Sequence, residues 1–184
     1  ILSLPLLLAL NAFFVLAEFA IVQLRPSRVT ELIAAGHKRG KQLSSIQSNI
    51  DEYLSVCQIG ITLASVALGF VGEHATAALV GAHASPYRYA VALTLSYVFV
   101  SGSHIVLGEL VPKSMALRIA ERASLLVAGP LRGFRVAFYP ALWLLTHASV
   151  ITLKLLGFPA DTKAPEHTEN ELRILLDESQ ERGM

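Results

Sequence analysis

The chain has 184 residues and a formal net charge of +1; 53% of its residues are hydrophobic and only 16% are charged. An ordinary soluble domain carries about 25% charged residues, so this composition, with a mean hydropathy of +0.54, excludes a surface wetted on every side. No basic stretch interleaves with aromatics as a base-stacking surface requires, which argues against nucleic acid as a partner. The single cysteine, Cys57, excludes an intrachain disulfide and a cysteine-rich metal site, and its apolar neighbours suit a packing role.

In chain order, three segments approach the ~20 apolar residues that a membrane-crossing helix needs. They are Ile1–Leu24, Leu54–Gly72 and Tyr89–Gly108, the last continuing as a helix to about residue 111. The first is read as a span, not a signal peptide, because it has no basic leader or small-residue cleavage site and holds an acid, Glu18. Short cytoplasmic loops retain lysine and arginine. Arg25, Arg28, Lys38, Arg39 and Lys41 follow the first span, only Arg88 lies between the second and third, and Lys113, Arg118 and Arg122 follow the third. The N-terminus is therefore expected outside, with His83–Tyr87 as an external turn and both 25–51 and 113–157 at the cytoplasmic face.

Val136–Leu153 is uncharged and long enough to raise the question of a fourth span. Pro130 and Pro140 interrupt the region, Arg132 and Arg135 precede it and Lys154 closes it, so an interfacial helix or helix pair is the preferred reading. The expected fold is an all-α membrane protein with three transmembrane helices and interfacial helices along the cytoplasmic face. Residues 1–160 make the membrane domain. Residues 161–184, opening with a capping box from Thr168 to Glu171, make an acidic helical connector to cytoplasmic regions.

Each span carries a polar stripe. Ser55, Gln58, Thr62, Ser65, Gly69 and Gly72 recur at steps of three and four, which puts them on one helix face. Thr94, Tyr97, Ser101, His104 and Gly108 do the same in the third span, and Asn11 and Glu18 lie two turns apart in the first. Small and hydroxylated residues also let membrane helices pack closely, which accounts for the glycines. That explanation covers Glu18 and Glu109 poorly, since an acid within a span is costly and normally faces a partner or a hydrated path. Both lie near the ends of their spans, where snorkelling relieves part of that cost.

The most informative local feature is Gly108-Glu109-Leu110-Val111-Pro112-Lys113. Proline has no N–H and its ring clashes with the carbonyl four residues earlier, so the Gly108 carbonyl loses its helical partner. Such an oxygen is tolerated within a membrane where it is buried in protein or lines a hydrated cavity, and broken transporter helices use freed carbonyls to hold cations. With Glu109 beside it and hydroxyls opposite, the donor set is all oxygen, which suits Mg²⁺, Ca²⁺ or Na⁺ and not a thiolate or multi-imidazole metal site. The plainer alternative is a proline that only kinks a helix end.

Three ordered runs, Leu10 to Ala20 (LNAFFVLAEFA), Gln58 to Leu63 (QIGITL) and Gly108 to Lys113 (GELVPK), resemble the transmembrane domain of the CorC and CNNM proteins. The resemblance implies a homodimer of three-helix protomers in the cell membrane, with a belt of juxtamembrane amphipathic helices, and Mg²⁺ export coupled to Na⁺ entry. It also implies that the connector leads into nucleotide-binding CBS regulatory domains. It points to Gly108 and Glu109, Thr62 and Ser65, Asn11 and Glu18 as the ion site, with Ser101 on the same face of the third helix. Two departures stand out: many relatives have asparagine where Ser65 stands, and some have serine where Val15 or Ala17 stands.

An enzyme is not expected. No second histidine lies at helical ligand spacing from His104, as a His-Glu-x-x-His metalloprotease requires, and a serine or cysteine nucleophile would need a base nearby, for which only His104 sits within a span. His104 is read as a hydrogen-bonding packing residue. A membrane-embedded sensor or scaffold that transports nothing is the stronger rival, since it needs the polar stripes only for packing.

Overall fold

The computed structural model describes residues 3–80 and 85–157. Every described element is helical: α1 Ser3–Gln23, α2 Pro26–Ala34, α3 Gly40–Gln47, α4 Ile50–Val80, α5 Pro86–Ser103, a π-helical turn His104–Leu110, α6 Val111–Arg118 and α7 Ala120–Leu155. Residues up to Leu142 form one compact unit, and a second begins at Trp143. In the second, described to Gly157, His147 Nδ1–H donates to the Trp143 carbonyl at 2.7 Å. The Thr168 capping box and the 161–184 connector lie outside the described residues.

Among the described residues, four helical stretches are long and apolar enough to cross a bilayer: Ser3–Gln23, Ile50–Val80, Pro86–Arg118 and Ala120–Leu155. Sequence reading expects three spans. The second is longer than expected, continuing past Gly72 through Glu73 and His74 to Val80. The expected turn His83–Tyr87 is also altered. Ser85 caps α5 by accepting from the Arg88 N–H, so Pro86 and Tyr87 are already helical, while residues 83 and 84 lie outside the described residues.

The additional candidate is α7, which runs unbroken through Pro130 and Pro140, where the sequence suggests interruptions. An internal proline can kink a helix without ending it, and the carbonyl it strands can be met by another partner. Pro130 strands the carbonyl of Leu126. The Arg39 guanidinium donates to the adjacent Leu125 carbonyl and reaches that of Leu126 at 3.4 Å.

Inter-helix contacts fix the bundle. Asn11 meets Ser65 and Phe14 meets Gly60, so advancing along α1 means retreating along α4, and the two are antiparallel. Gly60 is a required notch, because a Cβ there would overlap the Phe14 ring. Phe14 is 1% exposed, and burying a side chain of this kind contributes roughly 1.5–3 kcal/mol. Thr76 meets Ser96, while Ser65 meets His104, so α5 is antiparallel to α4. Asn11 reaches Gly108, and Ala20 packs with Ala116, so the π turn and α6 run parallel to α1.

The short helices close one end of the bundle. α2 ends where Gly36 takes φ +73°, with His37 N–H bonding the Leu32 carbonyl and Gly36 N–H that of Ile33, a Schellman stop that favours glycine. Val29, Leu32, Leu43 and Ile46 are buried with Ile21, Leu24, Tyr53, Val127 and Leu131. Arg28 pairs with Glu31 and, at 2.8 Å, with Glu121; the carboxylates of Glu121 and then Glu31 hold its guanidinium above the ordinary arginine range.

Ser124 donates to the Ala20 carbonyl at 2.9 Å, and Phe138 stacks near Phe14. At 1.5 Å per residue, ~21 Å of α7 thus accompanies only ~9 Å of α1, so α7 up to this point crosses α1 steeply. Arg135 pairs with Glu52 at 2.6 Å, so its charge lies level with the polar start of α4.

Candidate ion site

The site begins with Pro112. Its missing N–H frees the Gly108 carbonyl, and the chain just ahead loosens into the π-helical turn, in which Val111 N–H reaches back to Val106. The freed oxygen is engaged by another helix: Asn11 Nδ2 donates to it at 3.0 Å. Asn11 is 1% exposed, and leaving either group unpaired at that depth would cost about 1–3 kcal/mol.

The other end of the Asn11 amide continues the chain of bonds. Ser65 Oγ–H donates to Asn11 Oδ1 at 3.3 Å, and His104 Nε2 lies 3.2 Å from the same hydroxyl. A serine has one hydrogen to give, and here it goes to Asn11. His104 must therefore donate through Nε2–H. The polarity runs His104 to Ser65 to Asn11 to the Gly108 carbonyl, with every link satisfied.

Gly108 admits no side chain, because a Cβ would lie 3.0 Å from His104 Cδ2, 3.1 Å from Asn11 Nδ2 and 3.2 Å from Leu8 Cδ1. The glycine lets α1 pack closely against the π turn around one buried peptide oxygen. Ser65 and His104 also border a cavity of about 360 Å³ between α4 and α5, which Ser101, Ser96, Tyr97 and Glu73 line further along.

Of the residues singled out from sequence, the fold brings Asn11, Ser65 and Gly108 into one cluster, and Ser101 shares the adjoining cavity. Thr62 and Glu109 are exposed and make no side-chain hydrogen bond among the described residues. Glu18 is partly buried, two turns along α1 from Asn11, next to Phe19, over whose ring the Lys113 ammonium sits at 4.6 Å. These three acidic and hydroxyl groups are not gathered around the Gly108 carbonyl within this single chain.

His104, expected as a hydrogen-bonding packing residue, joins the cluster through its contact with Ser65. Glu73 was missed; its signal was the stripe itself, since it follows Gly69 by four residues on the face that carries Ser65. Among the described residues no three His, Cys, Asp or Glu side chains come together, so the cluster offers neutral oxygens.

The chain matches the family model described as the Cyclin M (CNNM) transmembrane N-terminal domain over residues 2–184. It is 41% identical to the UPF0053 protein YhdT of Bacillus subtilis, covering 96% of this chain and 40% of that protein. It is 38% identical to the UPF0053 protein YhdP of the same organism, over 96% of this chain and 41% of the relative. The uncharacterized protein Rv1841c of Mycobacterium tuberculosis is 31% identical over 97% of this chain and 53% of its own length. The chain thus spans about half or less of the length of these relatives. With Asn11 in the first of the three motif runs, Gly60 in the second, and Gly108 and Pro112 in the third, the chain belongs to the CorC/CNNM family.

Proposed function

We propose that this domain transports divalent cations, with Mg²⁺ exported as Na⁺ enters, and that its ion site forms around the Gly108 carbonyl. The observation that supports this reading is a peptide oxygen freed by Pro112 that accepts from Asn11, whose own Oδ1 accepts from Ser65. A cation reaching that oxygen repels the Asn11 N–H and favours an amide turned so that Oδ1 faces the ion. Ser65 then follows by rotating its hydroxyl, and Glu109, adjacent in the chain, supplies the charge that neutral oxygens lack. Mg²⁺ keeps several waters in such sites, which leaves Thr62, Ser101 and Glu18 as ligands of the hydrated ion or of its path.

In the same reading the protein lies in the cell membrane with its N-terminus outside. Three helices span, while α2, α3 and the first part of α7 lie along the cytoplasmic face. The steep crossing of α7 over α1 and the Arg135–Glu52 pair support an interfacial course. A homodimer would cover part of α5, which has no buried residue in the single chain, and could bring Thr62 and Glu109 nearer the carbonyl. CBS-type domains would follow the connector in the full-length protein.

Counterflow of Mg²⁺ and Na⁺ in sealed proteoliposomes tests the reading. Flux that requires Glu109 supports it. Absence of any flux, with the protein folded and inserted, favours a sensor or scaffold, for which the Asn11–Gly108 bond would be packing alone.

A further inference from the structure

The turn between α2 and α3 and the first turns of α7 enclose an open cavity of about 620 Å³, bordered by His37, Lys38, Arg39, Arg122, Leu125 and Leu126. Its charge is only partly compensated: the nearby acids Glu31 and Glu121 share Arg28 and Glu121 also feels the charge of Arg122, but no carboxylate forms an ion pair with Lys38, Arg39 or Arg122 among the described residues. His37 Nδ1 accepts from the Arg39 N–H at 3.2 Å, so its Nε2 carries the proton and is free to donate. Arg39 is held in place by its bond to the Leu125 carbonyl.

We propose that this cavity binds the phosphate headgroup of an anionic phospholipid. Two features select a lipid over a soluble anion. The cations share the cavity with Leu125 and with Leu126, which is 63% exposed, an apolar margin of no use to a free phosphate and suited to an acyl chain. The cavity is also tied to the end of α1 through the Ser124–Ala20 bond, at the level where headgroup phosphates lie against a spanning helix. Basic pockets between helices at a membrane face bind acidic headgroups in this way, each cation contributing about a factor of five in affinity. The proposal does not depend on ion transport.

The test compares lipids on the full chain purified in neutral detergent, reading thermal stability and lipid retained by native mass spectrometry. Phosphatidylglycerol should raise the melting temperature and be retained, whereas phosphatidylcholine and inorganic phosphate should do neither. Lys38→Gln with Arg122→Gln should lower phosphatidylglycerol affinity by ~25-fold and leave the stability without lipid unchanged. Arg25→Gln with Lys41→Gln, which removes equal charge outside the cavity, should keep it. Equal stabilisation by both lipids, full stabilisation by inorganic phosphate, or equal losses in the two double variants would each overturn the proposal.

Discussion

The Asn11 side chain donates to the Gly108 carbonyl from 3.0 Å, across 97 residues of sequence. That one bond joins the start of the chain to the break that Pro112 makes in the third long helix. The Arg39 guanidinium meets a similar need at Pro130 in α7. Both prolines are tolerated because a side chain from elsewhere attends to the oxygen or its neighbour.

The coupling between Asn11 and Pro112 is measurable. Asn11→Ala should destabilise the protein by about 1–3 kcal/mol, because it strands a buried carbonyl. Pro112→Ala restores an N–H able to bond that carbonyl, so stability should stay level or rise. In the double variant the loss from Asn11→Ala should shrink by about 1 kcal/mol or more. Thermal or denaturant unfolding in detergent checks this; strictly additive losses would mean that the alanine N–H never reaches Gly108.

Ion binding should separate from stability at the same positions. Pro112→Ala should reduce the additional stabilisation produced by saturating Mg²⁺, since a ligand stabilises according to its affinity for the folded state. Glu109→Gln, which keeps the shape and removes the charge, should abolish most Mg²⁺ flux while the protein still inserts and folds. Unchanged flux in the glutamine variant would leave Glu109 as a helix-end residue.

Gly60→Ala should destabilise by roughly 1–3 kcal/mol, because the new methyl meets the Phe14 ring in a packed contact. Phe14→Leu in the same chain should recover part of the loss by vacating that space. Unfolding of the two single variants and the double variant reads the effect. An alanine at Gly69, where nothing lies within 4 Å, serves as the control and should be tolerated.

Topology is tested by labelling. A cysteine at Ser85, the cap of α5, should react with an impermeant reagent added outside intact cells, and one at Ser44 in α3 should not. The native Cys57 is fully buried and should stay silent. Reaction at Ser44 alone would reverse the orientation read from the basic residues.

Much of this was legible in the residues themselves. The all-helical class and the stranded Gly108 carbonyl follow from local rules: apolar runs near the thickness of a bilayer, and a proline four residues after a carbonyl. Periodicity likewise placed Ser65 and Gly69 on one face, because a helix repeats every 3.6 residues whatever surrounds it. What periodicity leaves open is which face meets which neighbour, and at what height. Phe14 seated in the Gly60 notch sets the register of α1 on α4, and that register brings Asn11 level with Ser65 and His104. The same packing turns Glu109 and Thr62 away from the cluster within one chain, although their spacing suggested membership. At Pro130 the stranded Leu126 carbonyl is met by Arg39, 91 residues earlier by their numbers (130 − 39), a partner that no local pattern could have supplied.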